Sequence, residues 1–512
     1  MGNNAHNQHS NDPLSLFLSS DNDSFVPPPD GDVPDHINSA LKDATTAGAT
    51  SASLVDSTST IPGVDTHWDG LTFLQSGGYY PPDNALAAGS SVVIAAENDA
   101  IQFTSLTGTG ALTESLEKFF APVLSSGYFL TDPRVLYDTA NHRFIVAVDE
   151  VSNNLTSSKI LLAVSKTDLS APSLSSANWT FEAASTTYKI NGITTWADQP
   201  LVSVDGQDIY VSTNQFSARS GAYIGDAVSV FNHGLYNGTA SSLVSATAYA
   251  DSSYQPAAIA GGGEYWASYT YNGLSIFKST PTSSGVVNST PLHVSLGTID
   301  YGSGAYAASE AGTSFQLDAG DGRITSAAYD SANQKLYVVF EVQPTSTSTT
   351  PSVEWVQLDM SGFNASHGTV APTVLHEGNL NSLLPTTGAT TGAATFNGSV
   401  AVDANGDVLF NFNVSGPNML PADYFTVWKG AGSATSATVP SFATPTDYHD
   451  SQAAYIDPAK DPVSRWGDYS TAIADPNHAN GFYISNEFDN GSVTVAQHTY
   501  SSWGTASAHL LV

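Results

Sequence analysis

Short apolar runs alternate with polar turns along most of the chain, and one two-strand phrase recurs. In its clearest copies, residues 137–148 and 329–340, the residue type is the same at almost every position. Each copy has a turn rich in Asp and Asn between two apolar runs, which predicts a β-hairpin because these residues tolerate turn dihedral angles. Looser copies lie at residues 88–94, 204–211, 260–266, 402–410 and 471–485.

The apolar residues of the second strand are consecutive, as in residues 144–148. A strand with one solvent face would alternate, so this pattern predicts strands buried on both faces. The seven copies are roughly 50–75 residues apart, which is enough for a four-stranded unit with variable loops. We therefore predict an all-β fold, a seven-bladed β-propeller of four-stranded antiparallel blades. Residues 68–75 are expected to complete the last blade.

The ends of the chain differ from this repeating region. Residues 1–64 are poor in aromatic residues and rich in Asn, Asp, Ser and Pro, which predicts a disordered, flexible leader with one short helix near residues 36–47. The propeller is expected to span residues 65–512. A chain of 512 residues exceeds one ordinary compact core, which also favours growth by repetition.

The net charge of the chain limits which partners it can bind. The chain has 14 Lys and Arg residues against 47 Asp and Glu, a net charge of −33, whereas phosphate binding needs a basic surface. We therefore expect no nucleic-acid partner. The chain lacks an 18-residue apolar run, so no membrane insertion is expected. With no cysteine, it has no disulfides or thiolate metal sites, but its many carboxylates permit Ca²⁺.

A mostly polar position lies six or seven residues before each turn, at the entrance to the first strand. In a propeller the first strands line the central channel, so equivalent positions should form a ring at one mouth. These candidate ring residues are Asp83, Asp132, Asp198, Gln255, Arg323, Asn397 and Asp468.

Three of the five arginines, Arg134, Arg323 and Arg465, also lie at blade starts. Planar guanidiniums favour ion pairs with ring aspartates. Under a structural interpretation, which we favour, the ring caps backbone groups and ties blades together. Under a functional one, the mouth binds a metal or an anionic ligand such as a uronate, with Trp466 and Tyr469 completing the site.

A second candidate site is the alternating set Asp403, Asn405 and Asp407, whose oxygens are spaced as in a calcium loop. It lacks the distal Glu of an EF-hand and occupies a hairpin turn, so an ordinary turn is the favoured interpretation. Ca²⁺ is the one cofactor that the sequence indicates. No G-x-S-x-G, H-E-x-x-H or glycine-rich phosphate motif is present, and no catalytic residue is assigned.

Several phrases at blade starts occur together: Pro81-Pro82-Asp83-Asn84, Asp132-Pro133-Arg134-Val135 and Arg465-Trp466-Gly467-Asp468-Tyr469-Ser470. Because of these motifs, residues 65–500 resemble a family of bacterial exported β-propeller proteins. The family has the R-W-G-D-Y-S motif in the last blade and no established activity. The resemblance implies a propeller that is secreted or at the cell surface. The N-terminus lacks the pattern of a standard signal peptide, so we expect export through a C-terminal signal. The apolar tail is alternatively a last β-strand.

The favoured function is an extracellular surface or matrix interaction protein that binds a polysaccharide or another cell-surface component through loops at the channel mouth. One alternative is a polysaccharide lyase or glycoside hydrolase at the same mouth. A cluster of Tyr, His and Arg residues, one of them with a shifted pKa, would favour this enzymatic alternative. Another is a self-assembling structural protein, which should expose a large apolar or strand-edge surface.

Overall fold

The computed structural model describes residues 35–36 and 63–512, apart from residues 233, 242, 250–252, 271–272, 284, 298–299, 303–304, 348 and 496–497. Most of the predicted leader therefore lies outside the described residues. The helix predicted near residues 36–47 also lies outside them, apart from residue 36. Within the leader, Asp35–His36 pairs with Tyr79–Tyr80 as a two-stranded sheet.

Seven antiparallel sheets follow one another around a ring, and each is built on four strands. The innermost strand of every sheet contacts the innermost strands of its two neighbours, and the seventh contacts the first. This arrangement confirms the predicted seven-bladed β-propeller.

The strands of each blade run from the innermost outward. Blade 1 is Ala85–Ala88, Val92–Glu97, Ala100–Ser105 and Leu112–Ser115; blade 2 is Tyr128–Asp138, Arg143–Ser152, Ser158–Ser165 and Trp179–Ser185. Blade 3 is Ile193–Val204, Asp208–Ser217, Tyr223–Asn232 and Leu243–Tyr249, with Lys189–Ile190 added beside its first strand. Blade 4 is Gln255–Ile259, Gly263–Thr270 and Gly273–Thr282, followed by Gly285–Asn288 and Leu292–Ser295, which both pair with the third strand. Blade 5 is Ile324–Asp330, Lys335–Val342, Ser352–Asp359 and Thr373–Asn379; blade 6 is Ala394–Val402, Val408–Gly416, Met419–Trp428 and Thr446–Asp450. Blade 7 is Thr471–Ala474, Gly481–Val495, His498–Leu511 and Val64–Thr72.

Helices are short and lie in the connections. The described α-helices are Leu116–Phe119 and Ser361–Ala365, and the 3-10 helices are Ser176–Asn178, Gly234–Asn237, Leu380–Leu383 and Ala431–Ser433. No helix in the described part of the chain has the length and apolar character needed to cross a lipid bilayer.

Both ends of the chain build blade 7. Val64–Thr72 pairs antiparallel with His498–Leu511, with Trp68 opposite Ser507. The predicted ring closure is therefore confirmed, although the strand begins at Val64 and not at residue 68. The apolar C-terminal tail lies in the propeller, since Leu510 is fully buried.

The second strands are buried on both faces, as their consecutive apolar residues predict. In blade 2, Phe144 and Val146 join one apolar cluster with blade 1. Ile145 and Ala147, which alternate with them, join another with blade 3. Alternate residues of a strand point to opposite faces, so one strand supplies the core on both sides of its blade.

The recurring hairpin turns hold themselves together and also join neighbouring blades. Asp138 Oδ1 accepts the backbone N–H groups of Ala140 and Asn141, at 2.9 and 3.1 Å. Asn141 Nδ2 donates to the Gly206 carbonyl in the corresponding turn of blade 3. These bonds explain why Asp and Asn recur there in the sequence.

Candidate functional site

Two long connections cover part of one mouth of the channel. The connection between blades 4 and 5 contains Ala307–Ser309 and Gln316–Asp318, which pair antiparallel. Gln316–Asp318 also pairs parallel with Val463–Ser464, from the connection between blades 6 and 7. We call this three-stranded sheet, with residues 319–323 that follow it, the cap.

An open cleft lies between the cap and the starts of the inner strands, and it encloses about 530 Å³ including solvent at its opening. Polar and apolar residues both line it. The charged and amide residues that line it are Arg134, Gln199, Asp318, Asp321, Arg323, Glu341, Asn397 and Asp468.

The structure brings many predicted mouth residues to this cleft. The lining residues among them are Arg134, Arg323, Asn397, Trp466, Asp468 and Tyr469. Three further ring residues, Asp83, Asp132 and Asp198, are buried beside it. Asp83 Oδ1 accepts the Asp468 N–H at 2.9 Å, which joins blade 1 to blade 7.

Gln255 and Arg465 are not among the residues that line the cleft. Gln255 begins the inner strand of blade 4, and Ser253, two residues earlier, lines the cleft in its place. The backbone N–H of Arg465 donates to Asp457 at 3.1 Å.

Positive backbone φ angles explain why polar residues recur at the blade starts and why Ser253 takes the place of Gln255 in the cleft. The chain adopts a left-handed conformation before or within the inner strand, a region that Asp and Asn tolerate better than most residues. The residues with this φ in five blades are Asp83, Asp132, Gln199, Ser253 and Asn397, with φ between 49° and 54°. In blades 3 and 4, counting residues back from the turn therefore selects Asp198 and Gln255, which lie one and two residues away from the left-handed residue.

The R-W-G-D-Y-S motif connects several blades. Trp466 Nε1 donates to Asn413 Oδ1 in blade 6 at 3.1 Å, and the Gly467 N–H donates to Glu487 in blade 7 at 2.6 Å. The Tyr469 hydroxyl donates to the Pro133 carbonyl in the innermost strand of blade 2 at 3.3 Å. These contacts give the motif a structural role at the ring closure.

The two arginines of the cleft are held in fixed positions. The Arg134 guanidinium carbon lies 3.3 Å from the centroid of the Tyr469 ring, and its Nε donates to the Pro200 carbonyl. Arg323 Nε forms a 2.7 Å ion pair with Asp321 of the cap. Its Nη1 also donates to Gln199 Oε1.

Buried acids underlie the mouth, and they were not predicted. Glu341 lines the cleft, where its Oε1 accepts the Gly398 N–H at 3.2 Å and its Oε2 has no hydrogen-bond partner among the described residues. Burial raises its pKa to about 8, with a smaller contribution from the Asp321 carboxylate. Burial also raises the pKa of Asp149, close to Asp198 and Asp132, while Arg134 opposes the increase.

A signal for these acids is present in the sequence. Four second strands carry a buried acid near the start of the neighbouring inner strand: Glu97, Asp149, Glu341 and Glu487. The first three acids directly follow five consecutive apolar or aromatic residues. An acid in a strand buried on both faces is unusual enough to mark a functional or structural constraint.

We predict that Glu341→Gln flattens the pH dependence of stability. The folded pKa of about 8 lies above the ordinary glutamate value of 4.5, so the folded chain holds a proton that the unfolded chain releases. The free energy of unfolding therefore falls as pH rises from about 4.5 to 8, by at most about 1.4 kcal/mol per pH unit for this group. Urea unfolding of native and variant chains at pH 5 to about 8 checks this. An equal pH slope in both chains would contradict it.

The candidate calcium residues lie in the hairpin turn of blade 6, at the end of the propeller opposite the cleft. Asp403 Oδ1 accepts the backbone N–H groups of Asn405 and Asp407, at 2.9 and 2.8 Å. Asp407 Oδ1 accepts the Gly430 N–H at 2.6 Å. These bonds support the interpretation as a turn, and Ca²⁺ binding stays a prediction.

Fold and site together define the class: a seven-bladed β-propeller with a capped cleft at one mouth. No family model matches the chain, and a search of curated proteins gives no match either. Membership of the exported propeller family therefore stays a prediction.

Solved structures with similar folds include the α-L-arabinanase of Penicillium chrysogenum complexed with arabinobiose, which is 10% identical with a TM-score of 0.38 and aligns over 83% of this chain and 92% of that one. The GH93 α-L-arabinofuranosidase of Fusarium graminearum, also with arabinobiose, is 9% identical with a TM-score of 0.36 over 83% and 92%. The Dos1 propeller is 10% identical with a TM-score of 0.38 over 85% and 80%. At these values we infer neither activity nor ligand from them.

Proposed function

We propose that the cleft binds a carbohydrate carrying carboxylate groups, and that the protein acts as an extracellular glycan-binding propeller. One observation carries this proposal: Arg134 of blade 2 and Arg323 at the end of the cap line the same cleft as the amides of Gln199 and Asn397. In a chain with five arginines and a net charge of −33, two guanidiniums meet at one cleft, which the carboxyl groups of Asp318, Asp321, Glu341 and Asp468 also line.

The chemistry of the lining suits such a ligand. Guanidiniums bind carboxylates through paired hydrogen bonds, while amides and carboxylates bind sugar hydroxyls as donors and acceptors. Arg134 is already held against Tyr469, so less side-chain entropy is lost when a ligand binds. The aromatic residues Phe396, Trp466 and Tyr469 are buried below the surface, so we expect polar contacts and not sugar stacking to dominate.

Calorimetric titration with oligogalacturonates and with neutral arabino-oligosaccharides, each with and without Ca²⁺, tests this proposal. We expect the acidic sugars to bind, and Arg134→Ala to weaken binding about 10–100-fold because a charged hydrogen bond is lost. Lys166→Ala is the matched control, since it removes an exposed positive charge at the opposite end of blade 2. Equal binding of neutral sugars, or native affinity in Arg134→Ala, would refute the proposal.

Hydrolysis of the bound glycan is a second candidate function, favoured by the different surroundings of the Glu341 and Asp321 carboxyl groups. Burial raises the pKa of Glu341 to about 8, whereas Asp321 pairs with the Arg323 guanidinium. Glycoside hydrolysis requires a protonated carboxyl group as general acid together with a second carboxyl group. Other buried acids, such as Asp149, share the raised pKa, so we rank hydrolysis below binding.

The same incubations distinguish the two functions. If the protein is a hydrolase, reducing ends accumulate with the native chain and with Lys166→Ala but not with Glu341→Gln. If binding occurs without release of reducing ends, the protein is a binder.

The extracellular location rests on the resemblance of the blade-start motifs and remains part of the proposal. Self-assembly has less support. The two most exposed large apolar side chains of the described residues are Val439, in a connection of blade 6, and Val287, on a strand of blade 4, and these blades are not neighbours.

A further inference from the structure

Two histidines and two aspartates meet at the end of the propeller opposite the cleft. Asp475 and His478 lie in the hairpin turn of blade 7, His509 on its third strand and Asp65 on its fourth. Asp475 Oδ2 is 2.6 Å from His478 Nδ1 and 2.9 Å from His509 Nε2. The three potential ligand atoms of Asp475, His478 and His509 lie within 4.8 Å of one another.

We propose that Asp475 Oδ2, His478 Nδ1 and His509 Nε2 bind a divalent transition-metal ion, with Zn²⁺ as the expected ion. Imidazole and carboxylate ligands suit Zn²⁺ and similar ions, whereas Ca²⁺ prefers six to eight oxygens. Three protein ligands leave one position of a tetrahedral site open. His478 is half exposed, so an ion can reach the site from solvent.

The surroundings of the three ligands support this assignment. Asp475 uses its other oxygen, Oδ1, to accept the Asn477 N–H at 2.7 Å, which leaves Oδ2 facing both imidazoles. His509 Nδ1 lies 3.0 Å from Asp65 Oδ2. A carboxylate on the second ring nitrogen is the usual way in which a metal-binding histidine is oriented.

Comparison with the other hairpin turns gives an independent indication. In blades 2 and 5 the residue three positions after the turn aspartate is an asparagine, and Asn141 and Asn333 bond back to Asp138 and Asp330. In blade 7 this position is His478. Blade 7 thus has a metal-binding side chain where two other blades have a turn-forming amide.

The location suggests what the ion does. Asp65 comes from the strand that closes the ring and His509 from its pairing partner, while Asp475 and His478 connect the inner strands of the same blade. A bound ion would fasten the blade in which the two ends of the chain meet. We therefore infer that a bound ion stabilises this blade.

Titration of the chelator-treated full chain with Zn²⁺ tests this inference. We expect one ion per chain, and a melting temperature about 3 °C higher when free Zn²⁺ is 100 times the Kd. Co²⁺ should give the visible absorption of a tetrahedral site with nitrogen and oxygen ligands. His478→Ala, at an exposed position, should weaken binding at least 10-fold, and Asp65→Asn should weaken it about 10-fold or more because His509 loses its orienting partner.

His142→Ala is the matched control, since it removes an exposed histidine from the corresponding turn of blade 2. It should bind Zn²⁺ as the native chain does. The inference fails if the native chain binds no stoichiometric Zn²⁺. It also fails if His478→Ala binds the ion as tightly as His142→Ala.

Discussion

Replacing Trp466 by alanine is expected to lower the free energy of unfolding by about 3–5 kcal/mol. The side chain is buried beneath the cap and packs edge-on against Tyr455 and Phe396, with ring centroids 5.3 and 6.3 Å apart. The substitution leaves a cavity there and removes the hydrogen bond that the indole donates to Asn413. Since the cap and the cleft share this apolar support, glycan binding should weaken in the same variant.

Urea unfolding followed by far-ultraviolet circular dichroism measures the loss. Tyr301→Ala is the control, because this aromatic residue is 48% exposed in the connection that carries the cap. It should change stability by less than about 0.5 kcal/mol. Similar losses in both variants would mean that Trp466 does not support the cap.

A chain that begins at Phe73 is expected not to fold as a stable monomer, whereas one that begins at Gly63 should fold. The shorter chain lacks Val64–Thr72, so the His498–Leu511 strand is left with an open edge. It also loses the buried side chains of Trp68 and Leu71, each of which contributes about 1.5–3 kcal/mol by burial. Total stabilities are only about 5–15 kcal/mol, so this loss is a large fraction of the whole.

Size-exclusion chromatography and thermal melting of the two chains measure the difference. Both lack residues 1–62, so the comparison isolates the closing strand. An exposed strand edge favours association, and the shorter chain should therefore elute as aggregates. A synthetic peptide of residues 63–72 should restore the monomer. Equal melting temperatures without the peptide would contradict a role of this strand in ring closure.

The fold could be predicted because its signals are local and repeated. The Asp138 and Asn141 turn recurs with the same chemistry at Asp330 and Asn333, since those side chains hold the turn in each blade. Burial of the second strand on both faces requires consecutive apolar residues, which are visible without any knowledge of the partners.

The cap and part of the site could not be predicted in this way. Gln316–Asp318 and Val463–Ser464 pair across a long stretch of sequence and occur once, so a search for repeats does not detect them. At the mouth, the left-handed residues of blades 3 and 4 are Gln199 and Ser253, which do not lie at the predicted distance from the turn. Arg465 directly follows the cap strand, and its backbone N–H donates to Asp457.

An engineered disulfide between blades 1 and 7 tests the closed ring most directly. Asn84 Nδ2 donates to Ser485 Oγ at 2.8 Å although the two residues are 401 positions apart. The native chain has no cysteine, so a chain with Asn84→Cys and Ser485→Cys can form only one intramolecular disulfide.

We expect this chain to cross-link under mild oxidation and to migrate faster on a non-reducing gel. A chain with Asn84→Cys and Ser212→Cys, the latter buried in blade 3, should not cross-link. A natively folded Asn84→Cys, Ser485→Cys chain that stays reduced, or equal cross-linking of both pairs, would contradict the closed seven-bladed ring.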